Sequence, residues 1–142
     1  MTSQSSTRSE RLIWDENLLI GIQMPDRDHE QIVFLINRVL DAMAESRPQS
    51  ELSHILDSLI AFAQEHFRRE EELMERYGYP ELQPHREVHR FLEKKIMAYK
   101  TDFLTGGAEF GLAAELMKDW IVLHIQGVDR KYSRFLLARG VV

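Results

Sequence analysis

No cysteine occurs among the 142 residues. That excludes disulfides, thiolate zinc sites and iron–sulfur clusters, so any metal has to sit on nitrogen and oxygen. Positive charge is not in excess either. The 18 Lys and Arg face 23 Asp and Glu, a net charge of -5, and no basic stripe of the kind nucleic acid requires stands out. No apolar run approaches the roughly 18 residues of a membrane helix. The N-terminus "MTSQSSTRSERLIW" lacks the apolar core of a signal peptide. Strand-like alternation is missing, as is any repeat of about 20 to 50 residues. The expectation is one cytoplasmic domain, and a hydrophobic share of 44% is enough to give it a core.

The few prolines and glycines fall between runs of helical spacing. Residues 1–10 are polar and Ser/Thr-rich and read as a disordered lead-in. The domain proper is expected over 11–142, beginning with an apolar arm (Leu12, Ile13, Trp14, Leu18, Leu19, Ile22) that packs on the body. Pro25 and Asp26 open a first helix, with Asp26 as its N-cap, and Ile32, Val33, Ile36, Leu40 and Met43 carry it to about Glu45. "SRPQS" breaks the chain. A second helix follows over about 51–77, with Leu52, Ile55, Leu56, Leu59 and Phe62 inward, and ends at Gly78 and Pro80. The third runs from about 81 or 84 to 104 through Val88, Leu92, Ile96 and Phe103. "TGGAEFG" is the next turn, and the last helix spans about 109–138. Four amphipathic helices on short loops predict an all-α, antiparallel up-down-up-down four-helix bundle.

Histidine is where this pattern departs from an ordinary bundle. On a helix His66 and Glu70 lie about 40° apart, facing one way, and His85 and His89 repeat the spacing as HxxxH. His29 follows the start of the first helix, and His124 is one turn from Trp120 in the last. A lone histidine on an apolar face is more often a hydrogen-bonded core residue than a ligand. Five inward ones spread over all four helices reverse that balance, because each uncompensated buried polar group costs about 1–3 kcal/mol. His54, about 120° off the His66 face, serves as the surface control.

Two carboxylates complete the set. Glu70 belongs to HxxxE. Asp129 lies five residues past His124, a spacing that puts it about 140° away on a regular helix. Asp129 turns inward only if the chain carries a π-bulge or distortion near Gly127. Should both carboxylates bridge a pair of octahedral metals that also share a hydroxide, one coordination position stays open, as a ligand-binding site requires. Imidazole with carboxylate suits iron, and also zinc, manganese or cobalt.

The segments "IQMPDRDH", "HFRREEELM", "HREVH" and "WIVLHIQGVDRKY" together resemble the hemerythrins, in particular single-domain bacteriohemerythrins, over residues 12–137. The resemblance implies two iron ions with a bridging oxo or hydroxo group and reversible O2 binding for transport, storage or delivery. It implies His85, His89 and His124 on one iron, His29 and His66 on the other, and Glu70 and Asp129 bridging. It also implies an O2 pocket lined by Ile32, Phe67, Trp120, Ile121 and Ile125, residues that otherwise read as plain core. The expected ligand is O2, with an O2-consuming protein as a partner. The alternatives are an O2 or redox sensor and a di-iron peroxidase or oxidase. Two departures from the family pattern stand out: Asp28 where Gln is frequent, expected either to orient the second nitrogen of the adjacent His29 or to face water, and Pro25 in the arm. Tyr132, one turn past Asp129, is placed to bond the site or to pack. Glu71 and Glu72 are expected to face solvent.

Overall fold

The computed structural model describes residues 11–105 and 110–142, with the side chains of 102, 103, 110–114 and 116 left aside. The lead-in at 1–10, most of the "TGGAEFG" turn and the Phe103 side chain lie outside the described residues. Helices α1 (Gln23–Ala44), α2 (Gln49–Arg76), α3 (Leu82–Leu104) and α4 (Phe110–His124) follow one another, and α4 passes through a π-turn (Ile125–Asp129) into α5 (Arg130–Leu137). No strand occurs among the described residues. Helix α1 packs on α2 and α4, and α3 packs on the same two, so the ring closes as a four-helix bundle. No helix among the described residues is long and apolar enough to cross a membrane.

The expected stripes of α1 and α2 face the core, with Met43, Leu52 and Phe62 partly buried, and on α3 Ile96 is buried while Val88 and Leu92 are half-buried. Ile32, Val33, Ile36 and Leu40 of α1 meet Ile55, Leu56 and Leu59 of α2 in one apolar core. Helix α2 stops where the sequence supplies a left-handed residue. Gly78 has φ 68°, its N–H bonds Glu75 O at 3.1 Å, and the Tyr79 N–H bonds Met74 O at 2.9 Å. That pair of bonds is a Schellman ending, and it tucks Tyr79 into the core beside Tyr132.

The arm is a structured strap. Leu18, Ile20 and Ile22 are buried, each contributing about 1.5–3 kcal/mol if fully withdrawn from water. Asn37 clamps Leu12 through two bonds of 2.8 and 2.9 Å, and the Ser133 hydroxyl donates to Ile20 O at 2.7 Å. Two of the expected apolar contacts are absent: Ile13 is 77% exposed and Leu19 44%. Both stand between inward-facing neighbours, Ile13 between Leu12 and Trp14 and Leu19 between Leu18 and Ile20, so the alternation of an extended chain turns them to solvent on either side of the 3-10 turn Glu16–Leu18.

Helix α1 also starts earlier than expected. Its N-cap is Ile22, and Pro25 occupies the first turn, where the N–H it lacks has no helical partner in any case. Asp26 is therefore no cap. Its carboxylate reaches back to accept the Ile20 and Gly21 N–H groups at 2.8 and 3.0 Å, fixing the strap's entry angle.

Candidate metal centre

All seven residues singled out by spacing converge inside the bundle, and every one is buried. His29 comes from α1, His66 and Glu70 from α2, His85 and His89 from α3, and His124 and Asp129 from the two ends of the π-turn. The π-turn answers the awkward spacing. Its wider i→i+5 loop brings Asp129 onto the face of His124, which a regular helix does not.

The carboxylates sort the imidazoles into two groups. Glu70 Oε2 lies 3.4 Å from His29 Nε2 and 3.3 Å from His66 Nε2, while Asp129 Oδ2 lies 3.0 Å from His29 Nε2. Their other oxygens face the opposite way. Glu70 Oε1 is 3.2 Å from His89 Nε2, and Asp129 Oδ1 is 3.2 Å from both His85 Nε2 and His124 Nε2. Within the group Glu70, His85, His89, His124 and Asp129 one donor atom from each lies within 4.8 Å of the rest; the same holds for His29, His66, Glu70 and Asp129. Both carboxylates belong to both groups.

These contacts are not hydrogen bonds. The five Nε2 atoms, Glu70 Oε1 and both Asp129 oxygens are sealed from water without a bonding partner of acceptable geometry. Orphaned donors and acceptors at this density are costly unless something binds them, and an all-nitrogen-and-oxygen set around two foci fits a pair of metal ions. Without metal, protons stand in. Burial opposes a charge on His29, but Asp129 and Glu70 outweigh it and push it up to about 10. Burial likewise opposes charging His85, and the same two carboxylates push it up to about 9. His124 goes the other way, lowered by burial despite Asp129. Burial and Glu70 work against ionising Asp129, yet His124 and His29 hold it well below the usual carboxylate range.

A surrounding layer fixes these groups. The Tyr132 hydroxyl donates to Glu70 Oε2 at 2.6 Å, with Tyr132 fully buried. Asp28 was expected to act on the adjacent His29 or face water. Instead its Oδ2 accepts the His66 Nδ1–H at 2.9 Å across the α1–α2 seam, and Arg69 Nε reaches the same oxygen at 2.9 Å. Successive helical residues diverge by about 100°, so Asp28 points to the neighbouring helix while His29 points inward. Glu71 corrects a second expectation. It is 8% exposed, and its Oε2 takes the His89 Nδ1–H at 2.7 Å and Arg90 Nη2 at 2.8 Å. Glu72 is exposed and paired with Arg68, and His54 is exposed, both as expected. A signal for Glu71 was present. Arg86 and Arg90 follow His85 and His89 by one residue as Glu71 follows Glu70, so the offset faces also meet across the α2–α3 seam.

Of the five residues expected around O2, Ile32, Ile121 and Ile125 belong to the contiguous apolar core. Phe67 is buried and stacks on the His89 ring at 4.0 Å. Trp120 is partly buried, 5.9 Å edge-on from Phe67 and 5.6 Å from His124, and its indole N–H has no partner. Trp120 also lines an apolar groove of about 170 Å³ between α3 and α4, with Leu92, Ile96 and Met117.

A helical bundle with inward imidazoles and shared carboxylates fits the class of non-haem metal sites. A family model described as "Hemerythrin HHE cation binding domain" matches residues 21–136, and the chain belongs to the hemerythrin family. It is 30% identical over 122 residues to a bacteriohemerythrin of Stenotrophomonas maltophilia (strain R551-3), covering 86% of this chain and 79% of that one. A hemerythrin-like protein of Naegleria gruberi is 32% identical over 123 residues, covering 87% and 92%. Among solved structures, wild-type hemerythrin superposes with a TM-score of 0.81 at 28% identity, over 88% of this chain and 97% of that chain.

Proposed function

We propose that this chain binds O2 reversibly at a di-iron centre and acts as an oxygen carrier, store or delivery protein. The observation that carries the reading is the sharing of Glu70 and Asp129 between a group with three histidines and a group with two. Two equal octahedral ions held in that frame would be unequally filled, which would leave room for an external ligand beside His29 and His66. When bound, the two irons supply the electrons that hold O2 and take them back on release.

The chain's own residues do the rest. Glu70 and Asp129 each present one oxygen to either side and would hold the two irons together. Tyr132 pins Glu70 Oε2 and keeps that carboxylate from swinging. Asp28 and Glu71 hold one imidazole on each side by its outer nitrogen. Phe67 and Trp120, against His89 and His124, keep bulk water off the rings.

The oxidase and peroxidase alternative draws less support. Di-iron carboxylate proteins built on bundles use several Glu ligands with few histidines, and here histidines dominate. The test is an absorption spectrum of protein loaded anaerobically with ferrous iron, with iron counted per chain. A charge-transfer band that comes with O2 and goes when O2 is removed, at two irons per chain, supports the reading. Irreversible oxidation on first exposure to air sinks it in favour of a redox enzyme or sensor.

A further inference from the structure

Two of the five imidazoles have their outer nitrogen on a carboxylate, and they fall in different groups: His66 on Asp28 and His89 on Glu71. The two braces are not equivalent. Arg90 Nη2 lies on Glu71 Oε2 at 2.8 Å, and Arg86 Nε lies 3.5 Å from Oε1, so two guanidiniums offset the Glu71 charge. Asp28 meets one guanidinium, Arg69, on the very oxygen that takes the His66 proton. His29, the other histidine of that group, has no partner at Nδ1. The half with fewer histidines therefore leans on a single brace.

We propose that Asp28 is a positioning residue that acts through His66 as a charge, strengthening the hold of the two-histidine half on its iron and favouring the ferric state there. An ionised carboxylate on the Nδ1–H polarises the ring and makes Nε2 a stronger donor, which a neutral acceptor does less well. Arg69 moderates the effect by drawing on the same oxygen. The bland alternative is that Asp28 only pairs with Arg69 to tie α1 to α2. The inference rests on the di-iron reading of the site.

Asp28→Asn keeps an acceptor and removes the charge, whereas Arg69→Met keeps the charge and removes its moderator. Wild type and both variants are loaded anaerobically with ferrous iron, challenged with a chelator and titrated for midpoint potential. Circular dichroism confirms that each is helical. In Asp28→Asn one of the two irons is expected to be held about 10- to 100-fold more weakly, with a higher potential. In Arg69→Met the potential moves down. Wild-type retention and potential in Asp28→Asn overturn the proposal, and so does a shift of the same sign in both variants, which marks a tie between helices. A metal-free arm keeps the two readings apart. The proton spectrum of wild type should show a strongly deshielded His66 N–H that moves upfield in Asp28→Asn. A chain with that signal but no affinity for iron sinks the di-iron reading, not the pairing.

Discussion

The α1–α2 half of the centre and the α3–α4 half reach the same two carboxylates by different means. In the first, His29 and His66 sit on regular helices, and one brace, Asp28 on His66, crosses between them. In the second, His85 and His89 come as a pair on one helix face, and the difficulty is moved into the backbone, where a π-turn swings Asp129 inward. Both halves take a side-chain brace from a neighbouring helix, Asp28 on His66 and Glu71 on His89, and only the second adds a fold irregularity. A pair one turn apart shares a face by the period alone, as His66 with Glu70 and His85 with His89 do, whereas His124 and Asp129, five apart, need the helix to widen.

The comparison breaks most completely at the residues both halves share. Asp129→Asn and Glu70→Gln are each expected to lower bound iron from two per chain to near zero, since each removes a charge from both groups. Loss of one iron alone from either variant, measured by metal analysis after gel filtration, means that the carboxylate serves a single side. A ligand confined to one half should sharpen the contrast. His66→Ala is expected to cost one iron and His89→Ala the other, distinguishable by whether a small anion such as azide still changes the spectrum of the remaining ferric ion. Identical residual spectra from the two variants contradict the division.

Tyr132→Phe acts on the link between the halves. It removes one hydrogen bond to a buried carboxylate, worth about 1.5–3 kcal/mol, and should lower the urea stability of the metal-free protein by that order. A change below about 0.5 kcal/mol would show that Glu70 finds another donor.

Protonation gives a smaller, graded effect. His29, pushed up to about 10, and His85, up to about 9, bind their protons more tightly folded than unfolded, where imidazole titrates near 6.5. A raised value of this kind stabilises fully below about pH 6.5 and is lost as pH rises through the folded values. The metal-free protein should therefore melt at progressively lower temperature from pH 7 to 10, and iron uptake in that range should release protons to an indicator dye. A flat melting profile between those limits contradicts the raised values. The smallest effect is expected at the surface. Glu72→Gln breaks an exposed pair with Arg68 and should leave the melting temperature unchanged, whereas the same change at the adjacent Glu71 loosens His89.

Residues that act through the period of their own helix were legible in the chain. HxxxE, HxxxH and the apolar stripes lie on single helices, so spacing alone places them on one face. Even the π-turn was readable, because His124 and Asp129 five apart share a face only if the helix widens. The strap was half legible. Its apolar content pointed to packing, but which of those residues face the body is set by the extended stretches on either side of the 3-10 turn, where Asp15 and Asp26 find N–H partners.

By itself, then, the sequence determined which side chains each helix turns toward the bundle axis, since a period of 3.6 residues needs no neighbour to act. The tertiary structure decided what the flanks of those helices meet. Asp28 and Glu71 stand one residue from a ligand and look solvent-facing on a lone helix. The α1–α2 and α2–α3 seams close over them and set His66 and His89 against their carboxylates, with arginines behind. Which flank lies in a seam is fixed by how the helices cross and stagger, a property of the packed bundle that no single helix period contains.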